Sequence, residues 1–233
     1  MSMRSVAIAS RFRGPPTTGN GGYSAGLVAR ELGGAVEVTL RKPPPLERTL
    51  DITSTDSGLT LRDGDEVVAE ARPAELELEL PSPVAFERAR ELCEKYVGFT
   101  RHEFPTCFVC GPERAPGDGL RIFPGAERSS DPVVAPFVPD AGLAEASGVL
   151  RSEFVWAALD CPGYFGAAGP DYPKALLGRM TATIHHGVRA GERCVVMGWL
   201  IGKEGRKLHA GTALFGPDGD VRARARQTWI VVS

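Results

Sequence analysis

The sequence predicts an α+β fold in which antiparallel strands wrap around one central helix, and in which this unit occurs twice. Three observations carry the expectation. The segments GLTLRDGDEVVAEAR (58–72) and GTALFGPDGDVRARAR (211–226) share a glycine, an apolar-centred strand, an Asp-Gly-Asp turn and an alternating strand ending in arginine, so the chain looks duplicated. Each Asp-Gly lies between two alternating runs and reads as a hairpin, because Gly64 and Gly219 can take the positive φ that a tight turn between twisted strands needs. Upstream of each hairpin stands a single helical segment followed by long strands, one helix per several-stranded sheet.

In the first half Asn20 is the expected N-cap of GGYSAGLVAREL, with Gly33-Gly34 as its end. Ala25, Gly26 and Ala29 keep one side of that helix small enough for close approach. In the second half SEFVWAALD is apolar on every side and reads as a buried helix ending on Asp160, followed at once by the helix-breaking Cys161-Pro162-Gly163. The segments ALLGRMTATIHHGV and RCVVMGWLIG follow as strands. Between the halves PSPVAFERARELCEKYVGF reads as a helix and RHEFPTCFVCGPERAPGDGLRIFPG as a connector punctuated by Pro and Gly. The expected organisation is therefore residues 1–80, a linker over 81–130, and residues 131–233.

Composition narrows the functional classes. The 233 residues are 42% apolar and 24% charged, ordinary values for a soluble globular chain. A net charge of −2 argues against a surface built for nucleic acid or anionic membrane. No apolar run approaches the roughly 18 residues of a membrane span, and the start is too polar for a secretory signal, so a cytoplasmic location is expected. The five cysteines, an odd number set in strongly patterned segments, read as reduced thiols.

Strand parity sorts the polar candidates. Val221, Ala223, Ala225, Gln227 and Trp229 share one face of their strand and Arg222, Arg224 and Arg226 the other, so the Gln227 amide falls on the apolar side. There it either positions a water or substrate or is satisfied by neighbouring backbone. The arginines form a solvated face or a receptor for phosphates. Thr183 shares parity with Arg179 and Thr181, opposite Met180 and Ala182, and only a bulge would turn it inward. His185 and His186 offer one imidazole to each face. Cys107 and Cys110 form CxxC, which with His102 and Cys93 would make a four-ligand zinc set, although the spacing is incomplete and structural thiols are the simpler reading. RCVVMGWLIG is apolar on both faces, so its second face should be covered, and a homodimer would cover it.

With GNGGYSAGLVARE in the first half and FVWAALDCPG in the second, the chain resembles the double hotdog proteins, in particular the acyl-CoA thioesterase II family. The resemblance implies two antiparallel sheets each wrapped around a central helix, and hydrolysis of an acyl-CoA thioester where the halves meet. It implies catalytic roles for Asp160, Thr183 and Gln227, in that chain order. It places substrate or oxyanion binding at the N–H groups of Gly21, Gly22 and Tyr23, where a helix N-terminus presents free donors. No cofactor is implied, because a thioester needs only orientation and oxyanion stabilisation. A non-catalytic hotdog module holding an acyl or aromatic small molecule would use the same pocket. A dehydratase would need a histidine beside the central helix, and neither His185 nor His186 is compellingly placed for it.

Overall fold

The computed structural model describes residues 4–232. Ten strands form one antiparallel sheet: β1 (Arg4–Ala7), β2 (Val36–Leu40), β3 (Thr49–Thr55), β4 (Gly58–Asp63), β5 (Glu66–Pro73), β6 (Val133–Phe137), β7 (Ala175–Ile184), β8 (Cys194–Glu204), β9 (Lys207–Phe215) and β10 (Val221–Val231). The helices are α1 (Gly21–Ala29), α2 (Phe86–Cys93) and α3 (Ser152–Ala167).

The strand order β1-β3-β4-β5-β2-β7-β10-β9-β8-β6 contains the expected duplication. Counted outward from the β2–β7 seam, β5, β4, β3 and β1 on one side match β10, β9, β8 and β6 on the other. The seam is itself hydrogen-bonded, with Val38 opposite Met180. The halves therefore share one continuous sheet rather than standing as two separate ones. Both hairpins form, with Gly64 at φ 58° and Gly219 at φ 78°. α1 contacts β2, β4 and β5 and reaches across the seam to β7, while α3 contacts β6 to β10, so each helix lies mainly on its own half of the sheet.

Two sequence expectations need correcting. α3 does not end at Asp160 but runs through Pro162 to Ala167. Proline withholds an N–H from the turn before it and normally breaks a helix. Gln227 Nε2 on β10 donates to the Leu159 carbonyl at 2.6 Å, in the turn before Pro162, although the carbonyl that Pro162 deprives of its N–H is that of Ala158. The second correction concerns β8. Its far face, with Val195 and Met197, is covered within the chain by Ala89 and Leu92 of α2 and by Leu80, Val84 and Phe86 just before and at its start. The linker helix thus covers Val195 and Met197 where a partner subunit was expected to, while Leu200 and Ile201 farther along β8 stay exposed.

Among the described residues no helix is long and apolar enough to cross a membrane.

Candidate active site

α1 and α3 touch along a stripe set by two glycines one turn apart. A Cβ on Gly26 would lie 2.7 Å from Glu153 Cα and 2.8 Å from Trp156 Cβ. A Cβ on Gly22 would lie 2.5 Å from Asp160 Cβ and 2.7 Å from the Trp156 carbonyl. Only hydrogen fits at either place. Glu153, Trp156 and Asp160 follow each other at intervals of three and four, the spacing of one helix face, so the stripe is regular on both helices. The far end of this contact is fixed by Arg30 and the buried Glu153 at 3.1 Å. The near end brings Asp160 to the N-terminus of α1.

Asp160 is 1% exposed. Asn20 serves it and the helix together: its Oδ1 accepts the Tyr23 N–H at 2.9 Å as the N-cap, and its Nδ2 donates to Asp160 Oδ2 at 2.6 Å. The Gly22 N–H is directed at the carboxylate and favours its ionised form. Oδ1 is buried with no partner among the described residues. Burial first, and the neighbouring Cys107 sulfur second, push the carboxyl up to about 7.

Beside this group opens a cavity of about 510 Å3, lined by Asn20, Gly21, Asp160, Tyr164 and Leu177, among others. The N–H of Gly21 takes no partner among the described residues, whereas that of Tyr23 is used by the cap. The Tyr23 ring stacks on Phe12 at 4.3 Å within the apolar core and does not line the cavity. Arg41, Lys42, Arg101 and Lys174 give the mouth a cationic rim. Lys42 pairs with Glu66 and Lys174 with Glu103, surface contacts that a stronger anion can displace.

Three thiols complete the wall. Cys107, Cys110 and Cys161 are all buried, and their sulfurs lie within 4.8 Å of one another. The Cys107 and Cys161 sulfurs are 3.7 Å apart, and Asn20 Nδ2 reaches Cys107 Sγ at 4.0 Å. Thiol hydrogen bonds from Cys110 and then Cys161 hold Cys107 well below the ordinary thiol range, helped by the N–H groups of Cys110 and Val109. Burial pushes Cys110 and Cys161 up.

The sequence candidates therefore separate. Asp160 and Gly21 reach the cavity wall, with Gly22 against the carboxylate. Gln227 lies behind the wall, its Nε2 on the Leu159 carbonyl and its Oε1 accepting the Trp229 indole N–H at 2.7 Å. Thr183 is not brought to the site. It stands opposite Arg224, on the sheet face away from Met180 and Ala182, because the one irregularity in this pairing falls at Thr228/Trp229, too early to turn it. His185 and His186 are exposed. His102 lines the cavity, with Nδ1 accepting the Phe104 N–H, while Cys93 on α2 bonds the Arg90 carbonyl and stands outside the thiol cluster. Sequence reasoning missed Asn20 as a partner of Asp160, and Cys161 as a partner of the CxxC pair. Their only signals were adjacency to the Gly-Gly helix start and to Asp160.

A helix cradled by an antiparallel sheet, with a site where two such helices meet, is the hotdog arrangement. The likeness to solved acyl-CoA thioesterase II structures runs over nearly the whole chain. A TesB protein of Mycobacterium avium subspecies paratuberculosis matches with TM-score 0.64 and 13% identity, covering 99% of this chain and 93% of that one. An acyl-CoA thioesterase II, TesB2, of Mycobacterium marinum matches with TM-score 0.62 and 12% identity, over 99% and 93% of the two chains. A hotdog-fold protein of unknown function from Alicyclobacillus acidocaldarius matches with TM-score 0.59 and 13% identity, over the same shares. At such identities the likeness defines the fold. No protein-family model matches the sequence, and neither does any curated protein.

Proposed function

We propose that this double hotdog hydrolyses an acyl thioester of coenzyme A in the cavity between α1 and α3. The observation that carries the reading is the partnerless Oδ1 of Asp160, a buried carboxylate oxygen beside the cavity that needs a donor. A water placed there donates one proton to Oδ1 and turns its lone pair toward a thioester carbonyl, with Asp160 as general base. Asn20 fixes the carboxylate by holding the other oxygen. The Gly21 N–H, at the positive end of α1, polarises the carbonyl oxygen as charge builds on it. The tetrahedral intermediate then expels the thiolate, and the proton taken up by Asp160 passes to it, releasing the thiol and restoring the carboxylate.

The acyl chain takes the apolar wall around Leu177 and Tyr164, and the phosphates of coenzyme A take the rim of Arg41, Lys42, Arg101 and Lys174. Gln227 is a positioning residue here, setting the turn of α3 that carries Asp160. Thr183 has no part in this reading.

The test is release of free thiol from a panel of acyl-CoAs by the purified protein and by Asp160→Asn. We expect turnover by the native chain and a loss of about 10²- to 10⁴-fold in the variant. Unchanged turnover in the variant removes Asp160 from the mechanism. Binding of acyl-CoA with no turnover by the native chain makes this a binding module.

A further inference from the structure

Cys107 and Cys110 come from the linker and Cys161 from α3, and the proposed hydrolysis uses none of them. We propose that these three thiols form a site for a thiophilic divalent cation, Zn²⁺, with the fourth coordination position on the cavity side.

Geometry supports the assignment. Thiolates bound at about 2.3 Å to a tetrahedral ion lie roughly 3.8 Å from each other. The Cys107 and Cys161 sulfurs are 3.7 Å apart, and the third lies within 4.8 Å of both. A disulfide requires about 2.05 Å, so pairing any two would draw them much closer and leave the third sulfur over.

The local backbone is shaped for the same end. Gly111 closes the CxxC turn with its N–H on the Cys107 carbonyl at 2.9 Å. A side chain there would meet the Pro105 and Cys107 carbonyls, each at 2.5 Å. That turn directs the N–H groups of Cys110 and Val109 at the Cys107 sulfur, a donor set that suits a thiolate ligand. Tyr96 Oη holds the Cys110 carbonyl at 3.0 Å, bracing the other end.

Charge points the same way. Three thiols and Asp160 are buried together, and among the described residues no lysine or arginine is hydrogen-bonded to any of them. A dication that binds the three sulfurs as thiolates would therefore meet no competing cation there. All three cysteines line the cavity, so the open position faces it, to be filled by water or by a sulfur from the cavity. Binding forms three Zn–S bonds and breaks the S–H bond of each sulfur still protonated. The protons leave to solvent and no electrons are transferred.

The test is elemental analysis of the full chain, purified and dialysed under reducing conditions after incubation with Zn²⁺, together with Co²⁺ titration of the metal-free form. We expect about one Zn²⁺ retained per chain, and a thiolate-to-cobalt charge-transfer band saturating at about one equivalent. Cys107→Ser, Cys110→Ser and Cys161→Ser should each lower retention at least about tenfold, with Cys194→Ser as the unaffected control. A native chain that retains no Zn²⁺ and gives no charge-transfer band overturns the proposal, as does a mass two hydrogens lighter that reports a disulfide among the three. The native-chain readings stand even if a serine variant misfolds, and they are independent of thioester turnover.

Discussion

Asn20 and Asp160, 140 residues apart in sequence, meet at 2.6 Å across the contact between α1 and α3. One amide thereby starts the first helix and fixes the acid of the second. Asn20→Ala should cut thioester turnover by about tenfold or more and also cost about 1 to 3 kcal/mol, from the lost cap together with the lost buried donor. Urea unfolding alongside an acyl-CoA assay measures both. Asn20→Asp would set two carboxylates together and should be worse on both counts.

Gly22→Ala tests the helix contact itself. Alanine is the better helix former by about 1 kcal/mol, so on propensity alone the variant would gain. The added methyl instead falls 2.5 Å from Asp160 Cβ, against a rigid backbone carbonyl on its other side. Overpacking of this kind typically costs about 1 to 3 kcal/mol. The expected result is a lower thermal midpoint together with lost turnover, because the helices must part where the acid sits. A more stable variant would show that the contact is looser than described.

Arg30→Ala leaves Glu153 buried, with only Arg151 at 4.0 Å to replace the lost guanidinium. Breaking a fully buried pair costs roughly 3 to 5 kcal/mol. Arg30 is about a quarter exposed, 24% by side chain, so about 1 to 3 kcal/mol is expected here. Denaturant unfolding checks the figure. The double change Arg30→Met with Glu153→Met should recover most of the loss, since both charges are then gone.

Gln227→Ala strips a donor from the Leu159 carbonyl and an acceptor from the Trp229 indole, and opens a void beside α3. A loss of about 2 to 4 kcal/mol is expected, from two unpaired polar groups and the missing volume. Faster hydrogen exchange in the turn around Pro162 would locate the effect.

Cys194 supplies a contrast among the thiols. It is fully buried on β8, and burial first and Glu192 second push its pKa up to about 12. At pH 8 almost none of it is thiolate, the form that reacts. A maleimide should label Cys194 only after denaturant is added, read by mass spectrometry of the digested chain. Labelling at the native rate of an exposed thiol would contradict the burial.

What could be read from the sequence was whatever one element records about itself. Asp-Gly placed both hairpins, and alternation placed Gln227 on the buried face of β10, where it is 1% exposed. What could not be read depended on which elements meet. Pro162 does not end α3, which continues buried against β8 and β9, and no local pattern near Pro162 announces that packing. The second apolar face of β8 correctly called for a cover, but nothing in the strand distinguishes a partner subunit from α2. Periodicity also gave no reason to join Cys161 to a CxxC pair some fifty positions upstream, since their meeting depends on how the linker crosses α3.

The Arg30–Glu153 pair has a further consequence. The two helices run antiparallel, so their contact has two ends, one at each helix start. At the start of α1 the junction holds an acid beside open space. At the start of α3 the same place is filled by a guanidinium locked to a glutamate. One doorway is walled up by a brace and the other stays open for traffic, so the chain should saturate with a single guest.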